Sequence, residues 1–232
     1  MSRLTNTHSS PSASPSPDAN RPELRLHVVF FVLDLTDRPA LRVAVVECEE
    51  PATARLPTGS AHQTEPLDDA ARRIARDEAG IVEQYLEQLY TFSHCTEEQW
   101  YVVVSSIALA SHVMAVSSDH PRAQWRDVRE VVLGNAIECQ VLDYALVRLR
   151  AKLGYTTIAF HLMPESFTLS ELQRAYEAIL DQSLDKRNFR RRMIASGILE
   201  PTAAVRRAGS HRPAALYRFR AADDRSVYLT PG

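Results

Sequence analysis

The sequence contains few glycines, few cysteines and no long hydrophobic run. Seven glycines among 232 residues leave little room for a glycine-rich phosphate loop, and the sequence has none. Cys48, Cys95 and Cys139 are odd in number and far apart, a pattern that predicts reduced thiols rather than a disulfide framework or a metal site. No apolar run approaches the roughly 18 residues that a membrane-spanning helix needs. These shortages favour a cytoplasmic protein that makes no contact with a membrane.

Recognisable catalytic motifs are also missing. The eight histidines are scattered along the chain without metal-ligand spacing. No nucleophile motif is present, so we assign neither a catalytic residue nor a metal ligand. The sequence therefore predicts that the protein is not an enzyme and that it requires no cofactor.

Composition and charge predict a folded body with two unlike parts. Hydrophobic residues make up 45% and charged residues 24% of the chain, as in globular proteins. Residues 1–23 are rich in Ser, Pro and Asn and are predicted to form a disordered tail. Residues 1–150 contain 14 basic and 21 acidic residues, whereas 151–232 contain 13 basic and 8 acidic ones. The basic second part indicates an anionic partner.

The first part, predicted to span residues 24–155, alternates strand and helix patterns. Its strand predictions are 24–35, 41–49, 88–93 and 100–110, the first apolar on both faces and therefore central. Helices are predicted from Pro66 to Ala79, ending at Gly80, and over 137–153. The segment 117–124 is predicted to be a loop and 125–133 to be mixed. These elements predict an α/β sandwich.

The second part, predicted to span 156–232, contains two helices and a hairpin. Thr168 and Glu171 form a capping-box pattern, and the apolar stripe Leu172, Ala175, Tyr176, Ile179 and Leu180 follows. Asp185 is positioned to cap a second, basic helix in which Phe189 and Met193 face inward. Strands are predicted at 198–202 and 214–219, joined by an exposed basic loop. This order is typical of a winged helix-turn-helix domain.

The stretch LPTGSAHQTEPLDDAARRIARDEAGI (56–81) carries charged residues at regular positions. Residues four apart share one helical face, so carboxylates at positions 74 and 78 would converge, with position 77 beside them. The stretch resembles the Nudix box, whose pattern is matched by Gly59, Glu65, Arg73, Asp77, Glu78, Gly80 and Ile81. In that family the helix carboxylates hold magnesium, which bridges a pyrophosphate and activates water.

Three positions depart from the Nudix pattern, one of them only because Asp77 is shorter than the usual glutamate. Ile74 stands where a metal-binding glutamate is usual, and Thr58 stands where a glycine is usual. An isoleucine offers no oxygen to a hard divalent cation, so we expect a Nudix fold with weak or absent hydrolysis. The effector-binding candidates are Gly59, Glu65, Arg73, Asp77 and Glu78. Three interpretations stay open: Glu65, Arg73 and Glu78 tie the loop to the helix, the cleft senses a nucleotide, or residual magnesium-dependent hydrolysis persists.

FTLSELQ (167–173), DKRNFRR (185–191) and RPAALYRF (212–219) closely resemble the C-terminal region of the Nudix-related transcriptional regulators. That resemblance extends over about residues 24–220. It implies a homodimeric repressor of NAD biosynthesis or salvage genes that is released from double-stranded operator DNA by a small nucleotide such as ADP-ribose. The segment GNAIECQ (134–140) lacks the histidine that is usual there.

The basic helix and hairpin supply the DNA-binding candidates. A recognition helix enters the major groove, where Arg pairs with guanine and Asn with adenine. At 100° per residue from the inward Phe189, the predicted base-reading residues are Arg187, Asn188 and Arg191. The predicted phosphate contacts are Lys186, Arg190 and Arg192 in the helix. In the wing, Arg206, Arg207, His211 and Arg212 are predicted to reach a neighbouring DNA backbone or the minor groove.

The sequence therefore predicts an α/β Nudix-like sandwich followed by a winged helix-turn-helix domain, acting as an effector-sensing repressor. One alternative is a magnesium-dependent ADP-ribose pyrophosphatase with a DNA-binding appendage. Another is a DNA-binding dimer whose first domain is only a dimerisation scaffold.

Overall fold

The computed structural model describes residues 21–36, 38–48, 53–80, 82–83, 85–96, 99–111, 123–154, 156–206 and 213–220. The predicted tail therefore lies outside the described residues, apart from its last three positions. No helix in the described part of the chain is long and apolar enough to cross a membrane.

Seven strands in the described ranges form one mixed sheet. They are β1 (Glu23–Asp34), β2 (Ala40–Glu47), β3 (Ala54–Arg55), β4 (Thr58–Gly59), β5 (Tyr85–Cys95), β6 (Trp100–Leu109) and β7 (Ala123–Asp127). The main order is β3-β2-β1-β6-β5, with β4 paired to β1 and β7 paired to β2. Strands β1 and β6 are parallel, and the other pairs are antiparallel. The prediction of a central first strand is confirmed.

Two helices cover the opposite faces of this sheet: α1 (Leu67–Ala79) and α2 (Ala136–Leu153). Side chains of β1 alternate between them, because successive residues of a strand point to opposite faces. Val28 and Phe30 belong to the apolar cluster that includes α1, whereas Val29 and Phe31 belong to the cluster that includes α2. The first domain is therefore a three-layer sandwich, as predicted.

The C-terminal part contains a 3-10 helix (Ile158–His161), α3 (Leu169–Leu180), α4 (Lys186–Ala195) and a hairpin of β8 (Leu199–Arg206) and β9 (Ala214–Phe219). The predicted capping box is present: the Thr168 hydroxyl accepts from the Glu171 N–H, and the Glu171 carboxylate accepts from the Thr168 N–H. Asp185 caps α4 as expected, with its carboxylate accepting the Asn188 N–H at 2.8 Å. The winged-helix arrangement follows from these local signals.

Packing joins the hairpin and the helices into one core. Phe219 stacks on Phe160 with ring centroids 3.4 Å apart and lies 4.6 Å from the Phe167 ring. Phe167 and Tyr217 also exchange backbone hydrogen bonds of 2.9 and 2.8 Å. This core is continuous with the α2 side of the sandwich. The two parts of the chain therefore share buried apolar surface.

Two local predictions are wrong. Ala123 and Gln124 were expected in a loop but begin β7, because their backbone pairs with Val46 and Val45 of β2. The hairpin strand was expected to end at Thr202, but β8 continues to Arg206, which pairs with Ala214. Partner strands extend both elements, and local residue preferences do not reveal such partners.

Candidate nucleic-acid interface and ligand cleft

The cleft beside α1 begins with a loop that is tied down by one charged pair. Arg73 of α1 donates to both carboxylate oxygens of Glu65, at 2.9 and 2.8 Å, and to the Ser60 carbonyl at 2.9 Å. The His62 N–H donates to the same carboxylate at 2.9 Å. The Arg73 hydrogen bond and the His62 N–H lower the pKa of Glu65 to about 2. Glu65 and Arg73 therefore hold the loop against the helix.

The helix positions that would hold magnesium present three unlike side chains. Ile74 is 2% exposed and packs in the apolar cluster under α1, where a Cβ built on Gly59 would lie 3.0 Å from its Cγ1. The Asp77 side chain is 63% exposed, with its carboxylate 3.9 Å from Arg73. Glu78 forms a close ion pair with Arg55 of β3. An apolar side chain, an exposed carboxylate and a neutralised carboxylate do not make an oxygen cage, so the residues do not fit magnesium.

A second, buried pair lies next to Arg55 and was not predicted. Glu138 in the first turn of α2 accepts the Leu56 N–H at 3.1 Å, and its other oxygen is 3.9 Å from Nδ1 of His27. Burial raises the pKa of Glu138, although the Leu56 N–H and the Arg55 charge oppose this shift. Burial, with the charges of Arg25 and Arg55, lowers the pKa of His27 to about 4. His27 is therefore neutral at neutral pH, and it faces the Glu138 carboxyl, whose ionisation is disfavoured by burial.

An open cavity of about 290 Å³ adjoins this pair. Its lining residues are Cys48, Thr53, Ala54, Arg55, Gly134, Asn135 and Glu138. Arg55 lines the cavity and also contacts Glu78, so this side chain connects the cavity with the Nudix-like helix. Asn135 caps α2 through the Ile137 N–H at 2.8 Å and also lines the cavity, so the cavity lies at the positive end of the helix dipole. These features suit a phosphate-bearing ligand.

The basic helix α4 presents one solvent-facing side. Phe189 and Met193 are buried, as predicted, and the rings of Phe189 and Tyr176 meet edge to face at 5.3 Å. The residues exposed on α4 include Lys186, Arg187, Asn188 and Arg191. Arg191 donates to the Asn188 side-chain oxygen at 3.0 Å, so these two predicted base readers lie side by side.

The other predicted phosphate contacts are arranged differently. Arg190 is half-buried and donates to the Ser170 hydroxyl at 3.1 Å, while its Nε is buried without a partner in the described structure. Arg192 is half-buried and lines a cavity on the inner side of α4. Arg206 ends β8 and forms an ion pair with Glu171. Arg207, His211 and Arg212 lie outside the described residues.

Sequence reasoning missed His27, Arg55 and Glu138 for a physical reason. Glu138 is 82 residues away from Leu56, the residue whose N–H it accepts, and no local pattern connects distant polar residues. Arg55 directly precedes the quoted stretch 56–81, so a wider window around the motif would have included it. Neither His27 nor Glu138 stands out within its apolar strand or helix.

Comparison with known proteins supports both parts of the chain. The family model of the NrtR DNA-binding winged helix domain matches residues 159–219. Over 212 residues the chain is 33% identical to the "ADPR responsive transcriptional repressor NtrR" of Acinetobacter baylyi (strain ATCC 33305 / BD413 / ADP1), covering 87% of this chain and 84% of the relative.

Solved structures agree with this assignment. A crystal structure of Shewanella oneidensis NrtR complexed with a 27mer DNA is similar with a TM-score of 0.70 and 26% identity, covering 85% of this chain and 93% of that one. A MutT/nudix family protein from Enterococcus faecalis has a TM-score of 0.67 at 18% identity, covering 87% of this chain and 89% of that one. The second likeness shows the fold alone.

The resemblance inferred from the sequence is thereby confirmed, as is the predicted fold class. The Nudix-like sandwich and the winged helix are joined in one chain over nearly the whole length of a curated regulator. The chain belongs to the NrtR family of transcriptional regulators, in which a Nudix-like domain precedes a DNA-binding winged helix.

Proposed function

We propose that this protein represses transcription by binding operator DNA through α4 and is released by ADP-ribose or a related nucleotide bound in the Nudix-like domain. The observation that carries the proposal is the exposed row Lys186, Arg187, Asn188 and Arg191 on a helix seated by Phe189 and Met193. Cationic and amide side chains on one free helical face suit a major groove. The relative from Acinetobacter baylyi is named an ADPR-responsive repressor, and the Shewanella oneidensis relative was crystallised with DNA.

The DNA contacts are tested by a mobility shift with upstream DNA at several salt concentrations. We expect Arg187→Ala and Arg191→Ala to weaken specific binding by about 1–3 kcal/mol each, because each removes one proposed base-edge contact. Lys186→Ala should weaken binding to all sequences and reduce the salt slope by about one. Unchanged binding in all three variants would remove α4 from the interface.

Arg126→Ala is the matched control for these variants. Arg126 lies on β7, its side chain is 52% exposed, and it pairs with Glu47. It therefore resembles the α4 arginines in exposure but lies on the first domain. Operator affinity should be unchanged in this variant, whereas a loss equal to that of Arg187→Ala would indicate a non-specific charge effect.

For the effector we propose the region around Arg55, where the Glu78 ion pair, the α2 N-terminus and the 290 Å³ cavity meet. A guanidinium binds a diphosphate through paired hydrogen bonds, and the Asn135-capped end of α2 adds a partial positive charge. Calorimetry should detect ADP-ribose binding, and Arg55→Ala should weaken it at least tenfold. Arg126→Ala is the control, since it removes a paired arginine of the same domain that lies outside the cavity lining.

We further propose that the cleft binds its nucleotide without hydrolysing it. The burial of Ile74 and the Arg55–Glu78 ion pair support this view, because both positions lack a free carboxylate for magnesium. Incubation of ADP-ribose with magnesium should leave it intact over hours. Appreciable release of AMP and ribose phosphate would instead establish the pyrophosphatase alternative.

The proposed assembly is a homodimer on a palindromic operator that controls genes of NAD biosynthesis or salvage. A dimer would place two α4 helices in major grooves about one DNA turn apart, roughly 34 Å. Membership of the NrtR family supports the proposal that these genes are the targets. Light scattering should give twice the mass of one chain, and a half-site spacing near 10 base pairs should bind most tightly.

A further inference from the structure

A second cavity, separate from the cleft beside α1, lies behind the proposed recognition helix. It has a volume of about 120 Å³, is partly open to solvent, and is bordered by the last turns of α2, by α3 and by the inner side of α4. Its floor is apolar, formed by Leu153, Tyr176, Phe189 and Met193, all of them buried. None of the residues proposed for the effector lines it. It is therefore a distinct space at the junction of the two domains.

Tyr176 provides a buried polar group in this wall. The Tyr176 side chain is only 5% exposed and lines the cavity. Burial raises the pKa of Tyr176, so the hydroxyl stays a donor at neutral pH. Tyr176 therefore favours a ligand that carries an acceptor oxygen.

Two guanidinium groups determine which ligand charge the cavity favours. Arg192 of α4 and Arg150 of α2 both line the cavity, and the Arg192 charge reaches Tyr176 strongly enough to oppose the rise of its pKa. Arg150 uses its Nε to donate to the Ile179 carbonyl at 2.8 Å. The facing carboxylate, Asp185, uses one oxygen to cap α4. The cavity lining therefore contains two arginines and one aspartate, and one oxygen of that aspartate already caps α4. This balance of charge favours a ligand with an anionic group.

We propose that this cavity is a binding site for a small carboxylate with a compact apolar body, such as a six-membered aromatic acid. The cavity of about 120 Å³ is somewhat smaller than the engineered apolar cavities of roughly 150 Å³ that accommodate benzene, so the ring would fill it and the carboxylate would lie at its open side. The ring would pack on Leu153, Phe189 and Met193. The carboxylate would accept from the Tyr176 hydroxyl and face Arg192.

Occupancy would act on DNA binding directly. Asn188 and Arg192 line the cavity while Asn188 also belongs to the exposed row of α4, so a ligand would contact the recognition helix from behind. Its negative charge beside Arg192 would lower the positive potential of α4, which attracts DNA phosphates. We therefore expect the carboxylate to weaken operator binding severalfold. This regulatory step rests on the proposed function, whereas the ligand site does not.

The site is tested by calorimetry on the full-length protein without DNA, with benzoate as the probe and benzyl alcohol as its neutral counterpart. Benzoate should bind with a Kd on the order of 1 mM, as expected for so small a ligand, and benzyl alcohol at least tenfold more weakly. Tyr176→Phe and Arg192→Gln should each weaken benzoate binding about tenfold. The absence of benzoate binding at 20 mM, or equal binding by both variants and wild type, would overturn the proposal.

Matched substitutions exclude a general loss of folding or charge. Tyr144→Phe and Arg148→Gln change the same residue types on exposed positions of α2, outside the cavity lining, and should bind benzoate like wild type. Tyr176→Phe should also keep full operator affinity when no carboxylate is present. Benzoate binding that survives in a protein unable to bind operator DNA would uphold the site while rejecting the proposed function.

Discussion

Replacing Ile74 by glutamate would restore the usual Nudix residue but place a carboxyl in an apolar layer. Ile74 is 2% exposed and packs with Leu26, Val28 and Phe30. Loss of the buried isoleucine costs about 1.5–3 kcal/mol. Burial also raises a carboxyl pKa by up to about 3–5 units, and each unit costs about 1.4 kcal/mol at pH values where the unfolded chain is ionised. We expect Ile74→Glu to reduce the free energy of unfolding by at least about 4 kcal/mol at pH 8.

The pH dependence of the stability lost in Ile74→Glu provides a second, independent test. A carboxyl whose folded pKa exceeds its unfolded value destabilises the protein above the unfolded pKa, and the penalty shrinks as the pH falls towards it. The deficit of Ile74→Glu should therefore be smaller at pH 5 than at pH 8. Ile74→Val, which keeps the site apolar, should cost only about 0.5–1.5 kcal/mol at both pH values.

Urea unfolding followed by tryptophan fluorescence measures these changes. Trp125 meets Phe30 edge to face at 6.0 Å between ring centroids and packs against the same cluster as Ile74, so its emission reports on this layer. If Ile74→Glu unfolded within about 1 kcal/mol of wild type at pH 8 and gained magnesium-dependent hydrolysis, position 74 would face the cleft. The explanation that hydrolysis is lost because position 74 is buried and apolar would then be refuted.

Three other substitutions test separate parts of the structure. The folded pKa of His27 is about 4, so below about pH 6.5 the unfolded chain binds more protons than the folded chain. The protein should therefore lose stability between pH 7.5 and 5. In His27→Gln this loss, measured by urea unfolding, should be smaller by about 2 kcal/mol. Glu171→Gln, which releases Arg206 from its ion pair, should tighten operator binding severalfold in a mobility shift; weaker binding would place Arg206 away from DNA. Phe219→Ala, which removes the ring stacked on Phe160, should cost about 2–3 kcal/mol in thermal unfolding.

Features fixed by neighbouring residues were predictable from the sequence. The Thr168 capping box and the Asp185 cap depend on residues three positions apart, and both are present. The inward positions of Phe189 and Met193 follow from helical period alone. The order of local signals was sufficient to predict two domains of the correct kinds.

Features set by distant partners were not predictable. Arg192 was predicted to contact a DNA phosphate, and in the structure it lines a cavity together with Arg150 and Leu153 of α2. Arg206 belongs to a strand whose length is set by its pairing with Ala214, and its charge is matched by Glu171, 35 residues away. Such orientations depend on packing between elements, which residue patterns do not encode.

The long helix α2 connects the proposed effector cavity with the winged helix. Its first turn contributes Glu138 to the cavity, and its last turns place Arg150 and Leu153 against α3 and α4. At about 1.5 Å per residue, 18 helical residues span roughly 27 Å, and a buried stripe fixes the helix to the sheet. A displacement of one end can therefore reach the other end if the helix moves as a rigid rod.

A helix-softening substitution at the exposed Asp143 tests this coupling. Asp143→Gly weakens the middle of α2 by up to about 1 kcal/mol relative to Asp143→Ala, and neither variant removes a buried contact. The change in operator affinity caused by ADP-ribose should shrink in Asp143→Gly and stay at the wild-type value in Asp143→Ala. Each variant should bind ADP-ribose and DNA separately with normal affinity. Equal coupling in the two variants would show that effector and DNA communicate by another route than the stiffness of α2.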